Sequence, residues 1–177
     1  MEELFELFSD LELLSQLAAN TDWKEHKNFI RHELVYSQDS SEQGAYFCAV
    51  SKSLFSSVGE AFPLLLIHDI CNYDMWAENN TPCDIVDRQE REHILRTIWI
   101  PEYLGLTNDT DTVSYKLVTE FDFRRDWLPI VNQIAFTALG SPIRSIVKYG
   151  RIDSWNSSSY IIETDEEYID FQYWTTA

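Results

Sequence analysis

YIIETDEEYIDFQYW, residues 160–174, decides the fold. Two runs rich in β-branched and aromatic residues, 160–163 and 168–174, flank the polar tetrad Thr164-Asp165-Glu166-Glu167, and this pattern predicts a β-hairpin. Alternation along a strand sends successive side chains to opposite faces. Tyr168, Asp170 and Gln172 should therefore lie opposite Ile169, Phe171 and Tyr173, giving one acidic, solvated face and one core face. Residues 143–152 supply a third strand just upstream.

Working outward, Tyr115, Leu117, Thr119, Phe121 and Phe123 alternate with Lys116, Val118, Glu120 and Asp122, the period of a half-buried strand. Asp126 is placed to cap a helix running to residue 139, with Gly140-Ser141-Pro142 as its stop. Asp84 or Asp87 caps a short helix through residue 98, and Pro101 and Gly105 mark a loop after it. Residues 53–78 predict two helical pieces broken near Pro63, since proline removes a backbone donor. GAYFCAV, residues 44–50, reads as a strand after the polar loop SQDSSEQG, and Asp22 caps a helix directed towards Glu33. At the start, Leu4, Leu7, Phe8, Leu11, Leu14, Leu17 and Ala18 recur at helical spacing over residues 2–19. Helices early and strands late predict an α+β fold: one domain over residues 1–177, its N-terminal helices packed on a mainly antiparallel sheet formed largely by the C-terminal half.

A chain of 177 residues should bury roughly two thirds of its unfolded surface. It is 45% hydrophobic, too apolar for a disordered acidic tail, so its formal net charge of −17 sits on a folded body. That charge repels nucleic acid and anionic membranes and accelerates encounters with basic partners. The start MEELFELFSDLELL carries Glu2, Glu3, Glu6, Asp10 and Glu12 and no base, unlike a secretory or transit signal. Cys48, Cys71 and Cys83 are odd in number and lack CxxC spacing, so free thiols and a cytoplasmic location are expected.

Chemical motifs are few. Glu90 and His93 form a single ExxH where carboxylate-bridged metal sites need two, so a solvated helix with charge pairs is the better reading. His68, Cys71 and Asp74 could share a helix face as zinc ligands. They lie in the most apolar part of the chain, which favours a buried thiol and a hydrogen-bonded histidine. The five glycines are scattered singly, excluding phosphate-binding and dinucleotide loops, and no GxSxG elbow or base-activated cysteine occurs. Neither an enzyme nor a cofactor is expected.

The placement of charge says more than its total. Residues 124–151 hold Arg124, Arg125, Arg144, Lys148 and Arg151 against Asp126 alone, whereas residues 152–177 hold Asp153, Glu163, Asp165, Glu166, Glu167 and Asp170 and no base. Acid beside aromatic residues suits a Lys- or Arg-rich partner, with rings as anchors and carboxylates steering approach. The candidate partner-binding residues are Glu120, Asp122, Glu163, Asp165, Glu166, Glu167, Tyr168, Asp170 and Trp174. The competing reading is an ordinary solvated sheet face with incidental tyrosines.

In size and composition the whole chain resembles bacterial immunity proteins, which neutralise contact-delivered or secreted toxins. No motif carries the likeness, and no site residue transfers through it. The resemblance implies stoichiometric inhibition of a basic cognate toxin, a nuclease being the expected class, by an acidic surface that covers its active site. A nucleic-acid mimic or an adaptor for a basic regulatory partner is the alternative.

Overall fold

In the computed structural model, which describes residues 1–37, 43–72, 82–107, 112–131 and 141–175, the hairpin forms as the sequence predicts. It joins β5 (Ser157–Thr164) to β6 (Glu167–Thr175), with Glu163 opposite Tyr168. Thr164 shapes the turn: its hydroxyl accepts from the backbone N–H of Glu167 at 2.9 Å and of Glu166 at 3.2 Å.

The fold is α+β. Its sheet is antiparallel throughout, in the order β1-β2-β6-β5-β4-β3, with β1 (Arg31–Ser37), β2 (Gln43–Ser51), β3 (Tyr115–Leu117) and β4 (Ile143–Tyr149) completing it. Strand β1 occupies residues expected to continue a helix from Asp22. That helix, α3 (Trp23–His26), gives way to a 3-10 turn at Lys27–Phe29, and the β-branched and aromatic character of the run after it suits a sheet edge.

The chain divides into two compact units, Met1–Ile30 with Phe55–Val113, and Arg31–Leu54 with Ser114–Ala177. The second contains the whole sheet and α7 (Glu120–Val131), and in it the strand expected over residues 115–123 is cut to three residues. Thr119 begins a helix instead. Its hydroxyl accepts from Asp122 N–H at 3.1 Å and donates to the Asp122 carboxylate at 2.7 Å, a reciprocal cap that outweighs the local alternation. Asp126 is consequently an interior residue of α7, and residues 132–140, where that helix was expected to end, lie outside those described. Phe123 and Trp127, one helical turn apart, pack into a core with Phe47, Ile146, Tyr160, Ile162, Ile169 and Phe171. Phe123 meets Tyr160 and Phe171 edge to face at 5.2 and 5.6 Å.

In the first unit, the amphipathic start forms two helices, α1 (Glu2–Ser9) and α2 (Leu11–Asn20). Asp10 separates them, accepting from Leu13 N–H at 2.9 Å as the cap of α2. Helix α4 (Val58–Asn72) runs through Pro63 without a break. Twelve of its residues are buried, and that burial outweighs the backbone bond the proline removes. Gly59 lets α1 approach closely, since a Cβ there would lie 2.6 Å from Glu3 Cβ. Asp87 caps α5 (Arg88–Ile94), accepting from Glu90 N–H at 2.8 Å. The helix continues past the expected loop through a π turn at Leu95–Trp99 into α6 (Ile100–Leu104), with the wide turn placed just before Pro101. Gly105, at φ 71°, ends it in the left-handed conformation.

Cysteine pairing departs from the expectation of free thiols. Cys71 at the end of α4 is disulfide-bonded to Cys83, while Cys48 is buried and takes no part in that bridge. An odd count conceals one local bridge plus a core thiol, so cysteine usage gives no argument for a reducing compartment. No helix among the described residues is long and apolar enough to cross a membrane.

Candidate functional site

The hairpin turn gathers four of the expected partner-binding acids, Glu163, Asp165, Glu166 and Glu167, and partners within the same unit engage three of them. Lys52, just past β2, donates to Glu163 at 2.7 Å and to the Thr164 carbonyl at 3.1 Å. Arg31, at the start of β1, reaches Glu167 at 2.6 Å and Glu33 at 2.7 Å while stacking 4.8 Å from the Phe47 ring. Arg144 bonds Asp165. Glu166 is exposed, and among the described residues its carboxylate enters no ion pair. At the turn the expected acidic surface is thus an interleaved set of charges with Glu166 at its tip.

The electrostatics follow from that geometry. Burial works to raise the Glu163 carboxyl, yet hydrogen bonds from Lys52 and Ser145 hold it below the usual carboxylate range. Burial would lower the Arg31 guanidinium, and bonding to Glu167 and Glu33 more than offsets this. Away from the turn, Lys148 is pushed down, first by burial and then by Lys116, which faces it across the β3–β4 pair; its Nζ donates to the Ile152 carbonyl at 2.8 Å.

Other expected site residues lie elsewhere. Tyr168 and Asp170 are buried at 3% and 1% exposure, and Gln172 beside them at 8%, so the expected acidic solvated face does not exist. Both faces of β6 are interior. Asp170 accepts from the Tyr149 hydroxyl at 2.9 and 3.0 Å and from Gln172 Nε2 at 2.7 Å, and Ser159 donates to Gln172 Oε1 at 2.6 Å. A carboxylate so enclosed is a structural acceptor and cannot steer a partner. Trp174 sits at the far end of β6, roughly 23 Å along the strand from Glu167. It packs beside Tyr46 and over Gly44, where a Cβ would come within 2.1 Å of its ring. Glu120 and Asp122 belong to the first turn of α7, paired with Arg124 and Arg125.

The candidates read as metal ligands also resolve. His68 Nδ1 accepts from Trp23 Nε1 at 3.0 Å, as a hydrogen-bonded histidine should. Cys71, expected as a buried thiol, is in the disulfide and has no thiolate to offer. Asp74 lies outside the described residues, and His93 is exposed on α5.

Sequence reasoning missed Lys52, Arg31 and Arg144 as neutralising partners. Lys52 follows Ser51, which faces Glu167 across the β2–β6 pair, and that register is invisible until strand order is known. A second feature went unread: Leu13 and Leu17, four apart on α2, remain 37% and 39% exposed and wall a groove in the first unit. Comparison of the chain with protein-family models, curated proteins and solved structures gives no match.

Proposed function

We propose that this protein is a stoichiometric inhibitor of a basic protein, an immunity protein that neutralises a cognate toxin of the nuclease type. The charge balance carries the reading. Thirteen basic residues cannot neutralise thirty acids, so the surface keeps a strong negative field even where the hairpin acids are paired. Glu166 and the half-exposed Asp165 lead the hairpin surface. A basic partner would engage them by exchanging one cation for another: an incoming Arg can displace Arg144 from Asp165 at little net cost, because exposed ion pairs are weak.

Inhibition on this reading excludes substrate and needs neither cofactor nor metal from this chain. Action in the cytoplasm further requires that the Cys71–Cys83 bond persist, or be dispensable, in a reducing compartment. The test is capture of the partner by tagged protein from the native host at low salt, followed by assay of the partner's activity. Loss of that activity at one equivalent supports inhibition. Binding without any change in activity moves the reading to an adaptor, and failure to bind any basic protein removes both.

A further inference from the structure

We propose that the groove between α1, α2 and α4 is a docking site for a cationic amphipathic segment of another protein. The groove, open to solvent along one side, offers about 440 Å³, within the range that holds a compact ligand or a few anchoring side chains. Its apolar wall is formed by Leu13, Leu17 and the half-buried Phe55, with Leu7 and Pro63 beneath. Two partly exposed leucines four residues apart present what a helix-in-groove partner needs.

The rim decides the occupant. Glu3 and Glu6 from α1 and Glu60 from α4 border the groove, and no Lys, Arg or His lines it among the described residues. Glu60 accepts from the Ser56 backbone and hydroxyl at 2.8 and 2.7 Å, which holds its carboxyl below the usual range, and Glu3 bonds Ser57. Glu6 is exposed and enters no ion pair among the described residues. An apolar trough with a wholly acidic border matches a helix that carries apolar residues on one face and Lys or Arg beside them. A second copy of the chain would bring its own charge of −17 against this rim, and an anionic bilayer would be repelled in the same way.

The groove shares no residue with the hairpin turn, and a defined probe tests it on its own. A fluorescein-labelled leucine–lysine peptide with leucines at helical spacing is titrated by fluorescence anisotropy. A peptide of equal composition with alternating leucines and a leucine–glutamate peptide serve as controls. The helical cationic peptide should bind with a Kd of about 1–100 μM, and both controls should bind at least about 10-fold more weakly. Leu13→Gln with Leu17→Gln should weaken binding about 10-fold, and Glu6→Lys with Glu60→Lys by a similar factor, each variant retaining the wild-type circular dichroism spectrum. Asp165→Lys with Glu166→Lys should leave the affinity within about 2-fold, separating this site from the hairpin. Absence of binding, equal binding by the alternating peptide, or full binding by the folded leucine variant overturns the proposal. So does a concentration-dependent dimer that the leucine variant abolishes, because the occupant would then be a second copy.

Discussion

Removing the Tyr149 hydroxyl should destabilise the protein without touching its surface. Tyr149 is fully buried, and its hydroxyl donates to Asp170 and accepts from Gln172 Nε2 at 2.9 Å. Phenylalanine keeps the ring and its packing, so the change isolates the polar network. A hydrogen bond to a charged group contributes about 1.5–3 kcal/mol, and Gln172 keeps its bond to Asp170, which places Tyr149→Phe near 2 kcal/mol by the same estimate. Asp170→Ala should cost more, about 3–5 kcal/mol, because it leaves two buried donors facing a cavity. Asp170→Asn should fall between them, since the amide oxygen can still accept from both donors while the new NH2 is buried facing the Tyr149 hydroxyl. Urea denaturation followed by tryptophan fluorescence measures all three, with an unchanged m-value confirming that the same surface unfolds. A Tyr149→Phe cost under about 0.5 kcal/mol would refute the enclosed network, for an exposed hydroxyl costs that little to lose.

Three further outcomes follow from the structure. Because Glu163 has a depressed folded-state pKa, its contribution to stability is complete above the unfolded carboxyl value near about 4.3 and is lost as pH falls through the lower folded value. Lys52→Met should flatten that part of the stability curve, and an unchanged acid limb would contradict the assignment. Thr119→Ala should cost about 1 kcal/mol through loss of the α7 cap, read as a shift in denaturation midpoint, and an unchanged midpoint would contradict the cap. Alkylation of unfolded, unreduced protein should modify Cys48 alone by mass spectrometry, and opening the Cys71–Cys83 bridge should cost about 3 kcal/mol; three modified cysteines would show that the bridge does not form.

The hairpin was legible because its signals agreed: two apolar runs, a polar tetrad between them and polar residues at alternate positions 170 and 172. The same alternation misled at residues 115–123, where Thr119 and Asp122 carry a cap signature three residues apart that competes with the strand period. Asp170 and Gln172 illustrate a different limit. A polar residue on alternate positions of a strand looks solvated, and only the tertiary partners Tyr149 and Ser159 reveal that it is enclosed. The adjacent Ile161 and Ile162, both fully buried, were the sequence sign of a strand covered on both faces. Charge pairing was hidden for the same reason: Lys52 and Glu163 are 111 residues apart, and the strand order that joins them is not written locally.

Association kinetics show whether the exposed hairpin acid steers a basic protein. The captured basic partner is mixed with wild-type protein, with Asp165→Lys/Glu166→Lys, and with Glu25→Lys/Glu90→Lys as an exposed control of equal charge change, over rising salt in stopped flow. Association should quicken as salt falls, with the hairpin variant about 10-fold slower than the control at low salt. Equal rates for the two variants, or a rate indifferent to salt, would contradict that steering.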